Sequence, residues 1–396
     1  VGLENWLKQV ESRAREALNK PSPYGQDIDV SGFLEVKPAG KPLLDEAKAK
    51  EVGVDLSARA LYTQIDQVYY KYLSRIPGVE ITRLEDFIED RPDEAKEYVW
   101  KLVDPGKDKY TAIAALRGRG GYFIRVKRGV KVEEPIMACL FMSIGGLQAP
   151  HNIVIVEKDA DATVYTGCAI APEVVGLHVG ISEFYVEEGA TLRFVMVHSW
   201  NRVAHVRPRT VVRVKPGGRY ISYYVNLAQV KTLQTYPVVY LGEGAYTYLA
   251  SIVLGVGDAD IDVGSAAVLD GENASAEIVS RSLARDSASI VARASIAGRH
   301  GRGHIDCRGL MLSDKSVIRT IPELQALSPN TMLTHEASIG RLAEEEINYL
   351  VSKGFTKEEA VAILIRGFIN VDVKGLPQRV REYIETIEKL TVEKTM

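Results

Sequence analysis

Cysteine is scarce in this 396-residue sequence, with three in all. So sparse and odd a set excludes a disulfide framework and fits a reducing compartment. No apolar run approaches the roughly 20 residues that a membrane-spanning helix needs. The opening stretch "VGLENWLKQVESRAREALNK" is charged and amphipathic, unlike a signal peptide. A cytoplasmic protein with no membrane partner is expected. An excess of one charge is also lacking, with 49 Lys and Arg against 52 Asp and Glu. Proteins that coat nucleic acid carry a basic surplus, so no nucleic-acid partner is expected. The loop G-x-x-x-x-G-K-[ST] is missing, which excludes P-loop nucleotide chemistry. His335-Glu336 begins like the zinc motif H-E-x-x-H, but position 339 is isoleucine, so the zinc-protease reading fails.

Three regions are present. Residues 1–108 read as helical: Trp6, Leu7, Val10, Ala14 and Leu18 recur at helical spacing, and "DRPDEAKEYVWKLVD" places proline in a first helical turn. Over 109–333, valine, isoleucine and tyrosine alternate with polar residues. Small turns recur there. "DADA" ends at Ala162, "EEGA" at Ala190, "KPGG" at Gly218, "GEGA" at Ala245 and "GENA" at Ala274, at spacings of 28, 28, 27 and 29. "SDKS" follows at Ser316, one and a half repeats on, and "RDSA" at Ala288 fills the half step. A fixed period of turns and short strands predicts a stacked β-solenoid, with a β-sandwich as the alternative. Residues 334–396 turn helical again. "RLAEEEINYLVSKG" closes on Gly354, Thr356 and Glu359 form a capping box, and "LPQRVREYIETIEKL" supplies a third amphipathic helix. These helices are expected to cap the open solenoid end, which otherwise exposes strand edges.

The stretch "HIDCRGLMLSD" sets a cysteine inside an apparent strand. Alternation puts Cys307 on a face with Ile305 and Met311, while His304, Asp306 and Arg308 point the other way. His304 and Cys307 therefore cannot grip one metal ion. An inert core thiol and a functional one both remain open. The same holds for Cys168 in "VYTGCAIAPE", which shares a face with Val164 and Ile170. Cys139, in "PIMACLFMS", has the most apolar setting and reads as core. Residues 328–340, "SPNTMLTHEASIG", read as a junction loop that lets His335 and Glu336 turn to one site. With a thiolate, that pair can hold iron; alone, it is a surface hydrogen-bonding pair. Asp258, Asp260 and Asp262 alternate along a strand and are the best candidates for a β-helix carbohydrate enzyme. Leu310 and Leu312, opposite Cys307, predict an outward apolar patch near 305–320 for a second copy to cover.

Residues 303–368 carry "DC" before "LMLSD", then "PEL", "HEAS", "EEEINYL" and a closing "GF". This order resembles the C-terminal half of the SufB/SufD family. "GYFIRVKRGVKVEEPI" and "YTGCAIAP" resemble the family's β-domain upstream. "HEAS" together with both cysteines is closer to SufB than to SufD. The resemblance implies a mainly β fold with helical ends, a right-handed parallel β-helix between N- and C-terminal helices. It implies a scaffold, not itself an enzyme, for assembly and transfer of a transient iron–sulfur cluster. A separate SufC-type ABC ATPase would dock on about 342–369, and a cysteine desulfurase would supply persulfide. Cys168 would accept the sulfur. Cys307 would build the cluster at a subunit interface, with Glu336 and His335 as nearby iron ligands. The chain would work as a homodimer or a SufB/SufD-like heterodimer. The alternative is a SufD-like adaptor that holds no cluster.

Overall fold

The computed structural model describes residues 2–36, 43–226, 228–371 and 382. The helix expected over 376–390 lies outside these residues except for Glu382. The turn period of the sequence is a period of left-handed backbone positions. Asp159, Gly217 and Asn273 have φ of 60°, 68° and 56°. Such angles suit glycine, asparagine and aspartate, the residue types that mark the repeat. A small residue follows each turn and points inward; Ala160, Ala190, Ala245 and Ala274 are fully buried.

The turns stack strands into a parallel β-solenoid of about eight turns. In the first sheet, Ile136–Met142, Asp161–Ile170, Thr191–Ser199, Arg219–Asn226, Tyr246–Gly255, Ser275–Ala284, Gly301–Met311 and Thr331–Arg341 follow one another. The second sheet includes His151–Val156, Ile181–Val186, Arg209–Val214, Val238–Leu241, Asp260–Leu269, Ser289–Gly298 and Val317–Ala326. The half step in the sequence is a change of sheet. "RDSA" and "SDKS" precede Ser289–Gly298 and Val317–Ala326, both in the second sheet.

The main core lies between the sheets, where Val164, Phe184, Leu192 and Ile290 are fully buried. Both outer faces are sheathed in part. N-terminal helices cover the second sheet, with Phe87 stacked on Phe123 at 3.8 Å between ring centres. Residues 49–54 cover the first sheet, and the Tyr165 hydroxyl donates to the Val52 carbonyl at 2.8 Å.

Four expectations need correction. Strands Ala60–Ile65, Tyr69–Ser74 and Val79–Arg83 stand within the stretch read as helical. They extend both sheets, and Ala60–Ile65 pairs in parallel with Ile136–Met142. The junction read as a loop is a strand, Thr331–Arg341, drawn into register along Gly301–Met311. The two described C-terminal helices, Glu344–Ser352 and Lys357–Ile369, do not cap the solenoid end. Helix Lys357–Ile369 lies along the outer face of the first sheet, where Ala362, Ile365 and Ile369 cluster with Leu283 and Leu310. Leu310 and Leu312 are thus covered by their own chain, because the helix's apolar stripe matches the outward leucines. Among the described residues the coil left open is the last one, formed by Val317–Ala326 and Thr331–Arg341, each at the edge of its sheet.

Candidate functional site

Cys307 pairs with Ser280 on one side and Ala337 on the other. Its side chain is fully buried in the main core with Ile305. Burial, chiefly, pushes the thiol up to about 12; Asp306 adds to the rise and Arg281 opposes it. Asp306 faces outward, where it accepts from Arg281 at 2.7 Å and Arg308 at 3.0 Å. His304 is outward too, with Nδ1 2.8 Å from the Thr334 hydroxyl. The two halves of the apparent H-x-x-C therefore lie on opposite faces, as alternation requires.

The register of the terminal strand places the other two candidates. His335 lies beside Ile305 and Glu336 beside Asp306. In-register neighbours share a face. His335 thus stands on the inner side of the sheet, diagonal to Cys307, and Glu336 on the outer side. Both are exposed. The structure brings Cys307 and His335 to one face and holds Glu336 apart. Among the described residues, no three His, Cys, Asp or Glu side chains form a metal cluster. Among the described residues no strand pairs beyond this one, and Val317, Leu327, Met332 and Ile339 are exposed around this coil.

Cys168 sits deep in the solenoid. Its strand neighbours are Leu140 and His198, and it is fully buried. Burial, with a smaller contribution from Cys139, holds its thiol far above the ordinary cysteine range. Cys139 points to the outer cluster with Met137 and Phe141, and burial pushes it up to about 12.

Sequence reasoning missed an interior polar layer next to Cys168. The Tyr224 hydroxyl lies 3.0 Å from His198 Nδ1, and His178 Nδ1 lies 2.9 Å from Gln148 Oε1. The Trp200 ring stands 5.1 Å from the His178 ring and 5.0 Å from the His198 ring, centre to centre. Burial lowers His178 to about 3. Burial first, and His178 second, hold His198 well below the usual range. Both rings are uncharged at neutral pH. A signal was available: His198 and Asn226 are register partners one turn period apart.

The aspartates proposed for carbohydrate chemistry have other work. Asp262 accepts from Arg293 at 2.7 Å and from the Gly25 N–H at 3.1 Å, and Asp258 pairs with Lys231 at 2.5 Å. At the C-terminal end, Thr356 and Glu359 make the expected capping box. Tyr349, Val351, Phe355 and Ile363 are exposed on and between these helices.

A parallel solenoid with sealed interior thiols and an unpaired final coil defines the class. The sequence profile described as "SUF system FeS cluster assembly, SufBD core domain" matches residues 141–368. The chain is 42% identical to an iron-sulfur cluster assembly SufBD family protein of Archaeoglobus fulgidus, over 87% of this chain and 95% of that one. It is 39% identical to a SufBD family protein of Methanothermobacter thermautotrophicus, over 94% and 95% of the two chains. It is 29% identical to the iron-sulfur cluster assembly protein SufB of Bacillus subtilis, over 98% and 90%. The chain belongs to the SufBD family of SUF-system iron–sulfur cluster assembly proteins.

Proposed function

We propose that this chain is a SufB-type scaffold on which an iron–sulfur cluster is built and then handed on. The observation that carries the reading is the place of Cys307, an inward thiol one strand from an open solenoid end. Open strand edges recruit another strand. A second copy that adds its final coil pairs those edges and covers Met332 and Ile339. Its symmetry brings two Cys307 thiols to one joint, with His335 on the same inner side. Glu336 adds a carboxylate from the outer side. The cluster is cargo, held by mixed ligands drawn from two chains. Thiolate is the strong ligand for iron–sulfur cargo. Because burial keeps Cys307 protonated, iron binding must displace a proton there.

Other parts of the chain take supporting roles. Cys168 accepts sulfur as persulfide from a cysteine desulfurase. A SufC-type ABC ATPase docks on the C-terminal helices through exposed Tyr349 and Phe355. The work takes place in the cytoplasm.

Anaerobic reconstitution with ferrous iron and sulfide tests the reading. Wild type should gain the visible absorption of a bound cluster, and Cys307→Ser should gain none while unfolding at an unchanged temperature. A Cys307→Ser protein that holds the cluster as wild type does would refute the assignment. One observation favours a second reading, the SufD-like adaptor: Cys307 and Glu336 lie on opposite faces of the sheet. Wild-type protein that dimerises and binds the ATPase, yet takes up no cluster, selects the adaptor.

A further inference from the structure

The N-terminal helices stop partway across the second sheet. Helix Pro92–Tyr98 reaches Tyr185, whose hydroxyl donates to the Tyr98 carbonyl at 2.8 Å. The next residue in that outward row is Arg213, and Tyr240 follows it in register. Both are exposed, Tyr240 by 41%. Neighbouring strands stand about 4.8 Å apart, so Arg213 lies between two tyrosines on one face. A groove of about 500 Å³ runs where the helical cover ends. Lys101 and Leu102 line it from the cover, Val211, Arg213 and Tyr240 from the sheet, and Lys215 from a turn.

The covering side of the groove is held in place. Trp100 has φ of 56°, a left-handed angle that bulky residues avoid. A fully buried carboxylate enforces it. Glu183 accepts from the backbone N–H groups of Trp100 at 2.7 Å, of Leu102, and of Val103 at 3.0 Å. Such strain persists only where the surroundings over-determine it, and it collects at binding sites. Its effect here is to set Lys101 at the groove. The Lys101 ammonium rests 3.6 Å from the centre of the Trp6 ring, and Trp6 Nε1 donates to the Val99 carbonyl at 2.9 Å.

Charge in the groove is unbalanced. Lys101, Arg213 and Lys215 face one acid, Asp270. Lys215 is answered by Glu187 at 2.7 Å, but Lys101 and Arg213 have no carboxylate partner among the described residues. Two cations are left for an outside anion, beside an apolar floor. A bare inorganic anion would leave Val211 and Tyr240 uncovered. Nucleic acid needs a longer basic track than these side chains supply. An acidic protein segment that also carries an apolar side chain satisfies both halves of the groove.

We propose that the groove between residues 99–104 and the strands Arg209–Val214 and Val238–Leu241 is a docking site for such a segment of a partner protein. Its carboxylates sit on Lys101 and Arg213, and its apolar side chain covers Tyr240. The site lies on the second sheet, whereas helix Lys357–Ile369 lies on the first, so a partner held here leaves that helix free. The proposal does not depend on the cluster site.

Fluorescence anisotropy of a short labelled peptide, rich in glutamate with one leucine, provides the test on the full chain. Binding should saturate and weaken with salt. Replacing the glutamates by glutamine should abolish it, and replacing the leucine by serine should weaken it. Lys101→Glu with Arg213→Glu should weaken binding at least about tenfold. Tyr240→Ser should weaken it about threefold. Arg202→Glu, at an exposed cation outside the groove, should bind as wild type does. All four substituted side chains are exposed, so the unfolding temperature should not move; Lys101→Gln with Arg213→Gln replaces the charge reversal if that variant fails to fold. No saturable binding up to about 1 mM peptide overturns the proposal. So does equal binding by wild type and the charge-reversed variant, or an equal loss in Arg202→Glu. Equally tight binding of the serine peptide reduces the groove to an anion site and overturns docking of an apolar segment. Displacement of the peptide by a lower concentration of single-stranded DNA assigns the groove to phosphate and overturns it as well.

Discussion

Cys168 and Cys307 are alike in burial and opposite in situation. Both are fully buried, and burial raises both thiols. Cys168 has paired strands stacked on both sides over several coils and a polar layer beside it. Cys307 has one strand between it and an unpaired edge. Position along the solenoid, rather than exposure, sets what each thiol can do. A deep thiol keeps its chemistry private, whereas a thiol at the end is completed by whatever closes the end.

The sharpest break of this comparison is at the open coil. Met332→Arg with Ile339→Arg puts two charges where a second copy would pack. Light scattering should show monomers, and reconstitution should lose essentially all cluster absorption. Persulfide loading of Cys168 in the same variant should match wild type. A variant that stays dimeric and keeps its cluster would move the assembly site away from this coil. Next in size is thiol accessibility. End coils open locally, and deep coils open only with the whole fold. Alkylation of native monomer, read by mass spectrometry, should label Cys307 at least about tenfold faster than Cys168. Equal rates would erase the distinction between the two sites.

The legible parts of this fold are those that short-range rules control. Alternation alone separated His304 from Cys307. The turn period survived because Asp159, Gly217 and Asn273 meet a local backbone demand. The capping box at Thr356 is likewise local. What stayed hidden depends on distant partners. "THEAS" has little β-propensity of its own and becomes a strand by pairing along Gly301–Met311. Nothing near Leu310 in sequence announces that Ile365 covers it. The polar layer was hidden for another reason. Inward polar residues break the apolar alternation by which a core is recognised, and such breaks mark functional positions.

The interior histidines predict an acid-sensitive core. His178 is lowered from 6.5 to about 3 by burial. Its folded pKa lies below its unfolded value, so the stability it supports is present above about 6.5 and is lost as pH falls toward 3. By pH 5 the loss from this one group is about 2 kcal/mol. Urea unfolding at pH 7 and pH 5 should show that His178→Gln loses about 2 kcal/mol less than wild type over this interval. Equal losses in the two proteins would mean that His178 charges without penalty and that the layer is open to water.

The smallest expected effect lies at alkaline pH and separates the end coil from the body. Burial raises Cys139 from 9.0 to about 12. A raised folded pKa gives the opposite sign: the stability is complete below about 9 and is lost as pH rises toward 12. At pH 10 one such thiol costs about 1.4 kcal/mol. Cys139→Ala should remove about that much of the decline between pH 8 and pH 10, measured by urea unfolding. Cys307 is raised as far, but its coil frays ahead of the whole, so its thiol ionises without waiting for global unfolding. Cys307→Ala should therefore flatten the alkaline decline less than Cys139→Ala does. If the two substitutions flatten it equally, the final coil unfolds together with the body, and Cys307 needs a partner chain, rather than local opening, to become reachable.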